Sequence, residues 1–312
     1  MGPALGGRPP PPRRPVLEAA LTGAPAVEEW TGRDVTLAEV EAELARLRDD
    51  SAGEGRNPHQ RTSVMTHVAW VPPHWLDAAE RTLEGMAERH PSRTVILVPH
   101  EEDADGGGRI DAELAVRCYP AGDRAVCGEV IELHLYGDRL LAPASIVLPL
   151  AISDLPVFVR WRGEPPFGEV QWEQLVGVAD RVVVDSAEWE ELRYRELAAA
   201  FGRAAVSDIA WARIQDWRVE LARYWPAIRE QEIWIRGPRA EAALLRGWLN
   251  ARLDRAIRAA EPAGELGVRL GGEELPSPPS EPRSASELLS RELDRFARDR
   301  IYEEAVLAAA AG

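Results

Sequence analysis

The sequence predicts an α/β fold: a mixed β-sheet with flanking helices, two α/β subdomains, a Pro-rich N-terminal arm and a helical C-terminal tail. Three observations lead there. Short runs of Val, Ile and Leu alternate along the chain with segments whose apolar residues recur at helical spacing. Two alternating segments flank Gly122-Asp123, a hairpin-turn signal, so an antiparallel pair joins the sheet. The 312 residues suffice for one large or two modest domains with a substantial core. The expected divisions are 1–60 (arm and first helix), 61–163 (N-terminal α/β domain), 164–275 (C-terminal α/β domain) and 276–312 (linker and helical tail).

Taken in order, residues 1–16 are Pro-rich and predict a disordered arm. Leu37, Val40, Leu44 and Leu47 give helical spacing over 34–50, with Thr36 as a cap. Residues 51–60 read as a linker. "TSVMTHVAWV" reads as a strand, "PHWLDAAERTLEGMAERHPS" as a helix and "RTVILVP" as a strand. "IDAELAVRCY" and "AVCGEVIELHLYG" form the hairpin, with Ile131, Leu133 and Leu135 on one face and Glu132, His134 and Tyr136 on the other. "DRLLAPASIVLPLAISD" predicts a buried helix despite its prolines, and "LPVFVRWRG" the next strand. A helix ("EVQWEQLVGVA") and a strand ("DRVVVDS") follow; Asp185 and Glu188 have capping-box spacing for a helix over "AEWEELRYRELAAAFG". Ser207 or Asp208 caps a further helix carrying the stripe Ala210, Ile214, Trp217, Leu221. "EIWIRG" is a strand, "PRAEAALLRGWLNARLDRAIRAA" a helix, "ELGVRLGG" a strand, and "ELLSRELDRFARDRIYEEAVLAAA" one or two terminal helices.

Composition narrows the function. With 37 basic against 52 acidic residues, the formal charge is −15, which repels nucleic acid and anionic membranes. No apolar run approaches the ~18 residues needed to span a bilayer. The N-terminus lacks the apolar core of a secretory signal, so a cytoplasmic location is expected. Every basic residue is Arg, which excludes lysine Schiff bases, lysine general bases and P-loop lysines.

Searches for catalytic patterns are empty: the chain has no GxGxxG, GxSxG, HExxH or paired CxxC. "EEDADGGGRIDAEL" imitates a calcium loop through Asp103 and Asp105, but position twelve of that register is Leu114, so a solvated loop is expected. The six histidines show no metal-ligand pattern; His67 and His74, near a strand end and a helix start, suit surface or capping roles. Asp185-Ser186 lies at the carboxyl end of a strand, where ligands bind in open α/β sheets, although capping also explains both residues. No metal, cofactor or catalytic residue is therefore expected. Cys118 and Cys127 lie opposite one another if paired about the turn. A reversible disulfide is geometrically possible, and two reduced thiols in a hairpin is the plainer reading.

Tryptophan is abundant, with eleven residues, mostly at core-like spacing. Trp beside Arg is also what interface hot spots favour. In "DLPVFVRWRG", Val157, Val159 and Trp161 share one strand face; Phe158, Arg160 and Arg162 share the other. Two arginines cannot be buried unpaired. Their face opens to solvent, to acidic groups of the chain, or to a partner; the pattern favours a wet face paired with local Glu.

The ordered set "RTSVMTHVAWV", "HPSRTVILV", "CGEVIEL", "LPLAISDLPVFVRWRG", "ADRVVVDS" and "SDIAWARIQDWRVELARYW" resembles the OpcA family of glucose-6-phosphate dehydrogenase assembly proteins, over about residues 61 to 312. The closing "SELLSRELDRFARDRIYEEAV" resembles that family's end as well. Arg160 departs from the family's paired tryptophans, and Ala210, Ala212, Gln215 and Asp216 replace its Asn, Thr, Thr and Pro. The resemblance implies a non-catalytic accessory protein that binds the dehydrogenase, promotes its active oligomer and supports NADPH supply. On this reading Trp161, Arg162, Trp211, Arg213, Trp217 and Arg218 contribute to a partner surface or its support, and Cys118 with Cys127 is a possible redox pair. The alternative is a sugar-phosphate-binding enzyme or metabolite sensor of the same pathway, with arginines clamping phosphate.

Overall fold

A computed structural model describes residues 28–52, 63–84, 86, 90, 92–101, 107–121, 124–258, 260–279, 281 and 283–311. Asp103, Asp105 and the expected disordered arm lie outside these residues.

The chain opens with β1 (Glu28–Gly32), which the sequence reading had not separated from the arm. It leads to α1 (Leu37–Ala52), where Thr36 and Glu39 bond reciprocally: Glu39 N donates to Thr36 Oγ1 (3.2 Å) and Thr36 N to Glu39 Oε2 (2.7 Å). Val40, Leu44 and Leu47 are buried, as their spacing requires. Then come β2 (Thr66–Trp70), α2 (Leu76–Glu84), β3 (Arg93–His100) and the hairpin of β4 (Arg109–Ala121) and β5 (Arg124–Tyr136). The hairpin has the expected register: Cys118 pairs with Cys127 and Ala121 with Arg124. Ile131, Leu133 and Leu135 point into the core.

A 3-10 turn and α3 (Pro143–Leu150) lead to β6 (Val157–Trp161), α4 (Val170–Val178) and β7 (Arg181–Val184). The single helix expected over 187–202 is broken into a 3-10 turn at Ser186–Glu188, α5 (Tyr194–Ala198) and another 3-10 turn. The expected capping box does not form. Asp185 accepts from Ala187 N, but Glu188 turns away to Arg160 and the Gly163 amide. Next is β8 (Ala205–Asp208), a four-residue strand hidden within what reads as a helix start. Asp208 caps α6 (Ile209–Arg213), and α7 (Gln215–Ala222) continues after a break at Ile214. The stripe Ala210, Ile214, Trp217, Leu221 is buried as predicted. The remainder is β9 (Ile233–Gly237), α8 (Arg239–Leu253), β10 (Glu261–Pro262), β11 (Gly267–Leu270), β12 (Glu273–Glu274), α9 (Ala285–Leu293) and α10 (Arg300–Ala310).

The central sheet has eight strands in the order β1-β4-β5-β3-β2-β6-β7-β8. From β5 to β8 every neighbouring pair is parallel, whereas β1, β4 and β5 are joined antiparallel. The sheet is mixed, as expected. Counted along the chain, its six parallel strands stand in the spatial order 3-2-1-4-5-6, the doubly wound arrangement of dinucleotide-binding folds. Helices cover both faces. α1, α3, α4, α8 and α10 enclose the face bearing Val68, Val95, Val159 and Val182. On the other face, α2 packs over Ala69, Val71, Ile96 and Val98, and α9 over Met65, Phe158 and Val183. A second sheet, β10-β9-β11-β12, packs Ile233, Ile235 and Val268 into the same core as the central sheet. β7 and β8, beyond the division expected at 163, pair onto β6.

Candidate functional site

In this arrangement ligands bind outside the carboxyl ends of the strands, where the strand order reverses. Here that point lies between β2 and β6, and this chain fills it with its own side chains. Trp70 and Trp161 end the two strands in direct register and stack, with ring centres 5.0 Å apart and planes at 16°. Above them Arg162 N donates to Trp70 O (3.0 Å), and the Arg162 guanidinium lies 4.6 Å from the Trp75 ring centre. Gly163 has φ +75, and a Cβ there would stand 3.3 Å from Trp75 Nε1. The connection after β2, Val71-Pro72-Pro73-His74-Trp75, contains no glycine to bring backbone close to a pyrophosphate.

The face bearing Arg160 and Arg162 is not wet. Arg160 is 2% exposed and Arg162 8%, because β6 is covered on both faces, as an inner strand of a parallel stretch is. The pairing with glutamate does hold. Glu188 accepts from Arg160 Nη2 (2.8 Å) and from the Gly163 amide (2.8 Å), and lies 3.4 Å from Arg162 Nη1. Arg160 also donates to the Trp161 and Val183 carbonyls. One buried carboxylate thus serves two guanidiniums and a backbone amide. Burial, and then the neighbouring Arg160, hold Arg162 below the usual arginine range.

A second charged group lies at the ends of β7 and β8. Arg213 grips Asp185 with two bonds, 2.8 Å and 2.6 Å, and reaches Glu241 on α8 at 3.3 Å. Burial pulls Arg213 down, but the bonds and charge of Asp185 outweigh it and leave the group raised. Beneath lies Asp208, wholly buried. Its Oδ1 accepts from Ser186 N (3.1 Å) and Ala210 N (2.9 Å), and its Oδ2 has no partner. Burial, and then the charge of Asp185, push Asp208 up to about 7. Burial and the same carboxylates push Tyr194, bonded through its hydroxyl to Ser186 Oγ (3.1 Å), well above its ordinary value. Sequence reasoning had noticed Asp185, Ser186 and Arg213, and Glu188 only as a helix cap, but not Glu241 or the burial of Asp208.

The six residues linked to a partner surface divide sharply. Trp161, Trp211 and Trp217 lie in the core and Arg162 is buried with them. Arg218 is half-buried, 3.6 Å from the Trp211 ring centre, and burial lowers it to about 10. Arg213 is the most exposed of the six, with about a third of its side chain in solvent (36%). Trp211 Nε1 donates to Asp299 Oδ2 (3.0 Å), and Arg283 holds Asp216 (2.8 Å), so the C-terminal segment braces this group. The tryptophans set the positions of the arginines from below; they present no surface themselves.

His67 has no surface or capping role. It sits within β2, 1% exposed, with Nε2 unpartnered, and burial holds it down at about 4. His74 lies on the exposed 3-10 turn Pro73–Trp75. The Cys118 and Cys127 side chains lie outside what the structure describes; their backbones pair. Among the described residues, no group of three His, Cys, Asp or Glu is placed to hold a metal, and no helix is long and apolar enough to cross a membrane.

Fold and site together define a doubly wound α/β protein whose usual ligand crevice is closed by paired indoles and arginine–carboxylate bridges. Comparison with known proteins agrees with the resemblance read from the sequence. Residues 84–199 match the OpcA family model, described as the glucose-6-phosphate dehydrogenase subunit N-terminal domain. Three cyanobacterial proteins with the provisional name OxPP cycle protein OpcA are similar. The Nostoc punctiforme protein is 26% identical over 192 residues, 56% of this chain and 40% of its own length. The Synechocystis protein is 26% identical over 184 residues (54% and 38%), and that of Synechococcus elongatus 25% over 186 (54% and 41%). The matches span about two fifths of these relatives. Together they support assignment of the chain to the OpcA family.

Proposed function

We propose that this chain is a non-catalytic accessory protein that binds glucose-6-phosphate dehydrogenase and promotes its assembly and activation in the oxidative pentose phosphate pathway. The observation that carries this reading is the closed crevice: the place where a fold of this order receives a small molecule is taken by Trp70, Trp161, Trp75 and Arg162. The match of residues 84–199 to a model described as a glucose-6-phosphate dehydrogenase subunit domain supports this choice of partner. As an effector, the chain must bind the active enzyme form more tightly than the inactive one. A difference of about 1–3 kcal/mol changes the populations about 5- to 150-fold. The accessible part of the strand-end surface is Arg213, Arg218 and the outer side of α7, where Val219 and Arg223 are exposed. The metabolite-sensor alternative is weaker, because Glu188, Asp185 and Glu241 already occupy the arginines that would clamp a phosphate.

The test mixes the purified chain with the dehydrogenase of the same organism and records particle mass and turnover. A heavier complex with raised activity is expected, while Val219→Arg weakens both and leaves the fold intact. Unchanged mass and turnover at micromolar concentrations overturn the proposal. Thermal stabilisation of the isolated chain by glucose 6-phosphate, 6-phosphogluconate or NADP would favour the alternative.

A further inference from the structure

An apolar face continues from α7 into the turns that follow it. The helix ends at Ala222, but the winding goes on: Tyr224 N donates to Leu221 O (3.2 Å), Trp225 N to Ala222 O (3.3 Å) and Ile228 N to Tyr224 O (2.9 Å). That winding sets two neighbouring rows. Val219, Ala222 and Pro226 stand at i, i+3 and i+7; Arg218, Ala222 and Trp225 stand at i, i+4 and i+7. Val219 is 53% exposed and Trp225 44%, and Ala222 and Pro226 are exposed beside them. Trp225 is the most exposed of the eleven tryptophans; the others are buried or half-buried. An indole on such a face holds a large apolar area still to be taken out of water.

The charge on this face runs against that of the chain. Residues 213–229 hold Arg213, Arg218, Arg223 and Arg229 against Asp216 and Glu220, a net +2 in a chain of −15. Both acids are already held, Asp216 by Arg283 and Glu220 by Arg223, each at 2.8 Å. Arg229 lies 5.1 Å from the Trp225 ring centre. Arg218 differs from the other strand-end arginines. Arg160, Arg162 and Arg213 each meet a carboxylate, whereas no carboxylate among the described residues pairs with Arg218. Its guanidinium lies 3.6 Å from the Trp211 ring centre, and its Nε is buried without a partner. The carboxylates around it are committed elsewhere: Asp299 caps α10 and accepts from Trp211 Nε1, and Glu292 meets Arg295. A guanidinium drawn partly out of water without a countercharge carries a desolvation cost that an incoming carboxylate offsets.

We propose that this face, anchored by Trp225 and Val219, docks an apolar patch of a partner protein that brings a carboxylate to Arg218. This rests on the accessory role proposed above and adds the chemistry of the surface received. An aliphatic or aromatic side chain packs on Trp225, and an Asp or Glu beside it meets the guanidinium fork. Trp and Arg are the side chains on which binding energy concentrates at interfaces. A second copy of the chain fits less well, because a twofold pairing sets this same face, net +2, against itself.

The test uses the full chain and the dehydrogenase of the same organism. Hydroxyl-radical footprinting, read by mass spectrometry, follows each tryptophan separately. In the mixture Trp225 should oxidise several-fold more slowly, while Trp30, on the opposite edge strand β1, keeps its free rate. Trp225→Ala should weaken binding about tenfold in Kd, which is about 1.4 kcal/mol. Arg218→Met keeps a stem over Trp211 and removes the charge. It should weaken binding similarly while the Tm of the isolated chain holds or rises. A fall in that Tm would show a partner for Arg218 within the chain and overturn the proposal. A complex that forms equally well with both variants and leaves Trp225 at its free rate overturns the docking face and spares the accessory role. No complex with the unaltered chain overturns both. Protection of Trp225 in the chain alone as its concentration is raised marks a second copy as the occupant and also overturns the proposal.

Discussion

Replacing Asp208 with Asn tests whether the buried carboxyl beneath the Arg213 clamp is held against its preferred charge state. A rise from its ordinary 3.8 to about 7 means that the folded chain binds this proton more tightly than the unfolded chain. Between those pH values the native state carries the proton and the unfolded state does not. Asp208 therefore removes stability as pH rises from ~4 to ~7, and the full loss is present above ~7. At 1.36 kcal/mol per pH unit the loss is about 4 kcal/mol. Asn keeps the acceptor that serves Ser186 N and Ala210 N. Its amide nitrogen replaces the unpartnered Oδ2, at a cost of about 1–3 kcal/mol. The variant should then be about 1–3 kcal/mol more stable than the unaltered chain at pH 8, an advantage that shrinks and reverses towards pH 4. His67 works in the opposite direction. Lowered from 6.5 to about 4, it binds its proton only on unfolding, so its contribution of about 3 kcal/mol is present above ~6.5 and is lost as pH falls to ~4. The two slopes nearly cancel in the unaltered chain; Asp208→Asn should uncover the histidine slope. Urea unfolding followed by tryptophan fluorescence at pH 5, 6, 7 and 8 measures this. A difference between variant and parent that does not change with pH refutes the reasoning.

Three further outcomes are expected. Glu188→Gln leaves Arg160 and Arg162 buried without a countercharge and should cost about 3–5 kcal/mol in urea unfolding; a loss below ~1 kcal/mol would show that Glu188 does not hold them. Gly247→Ala places a methyl group 2.2 Å from Ala305 O, so α10 should lift from α8, with a lower Tm and faster amide exchange across 300–310 than across 285–293. The backbones of Cys118 and Cys127 are register partners in the β4–β5 hairpin, so mild oxidant should block alkylation of both thiols together, and Cys127→Ser should leave Cys118 alkylatable.

The strands and helices were legible wherever a full period of the pattern repeats. The alternation of Ile131, Leu133 and Leu135 gave the β5 face, and the stripe from Val40 to Leu47 gave α1. Two strands were not: β1, Glu-Glu-Trp-Thr-Gly, has no apolar run, and β8 runs straight into the helix that Asp208 caps. The arginines of β6 were misplaced because alternation was read as one wet face, whereas a strand between parallel neighbours has no wet face. Their countercharge lies 28 residues away from Arg160, in a segment that reads as helix. Glu188 gave up its capping role for those two guanidiniums, which is why the predicted helix breaks. An open cleft lined by Thr31, His100, Asp111 and His134 was illegible for a similar reason: β1, β3, β4 and β5 each contribute to it, and only the sheet order assembles them.

Trp70 and Trp161 also fix how the molecule can deform. Stacked across the seam between β2 and β6, they add a side-chain contact to the backbone pairing of the two halves of the sheet. Sliding one half past the other would separate the rings and admit water between them.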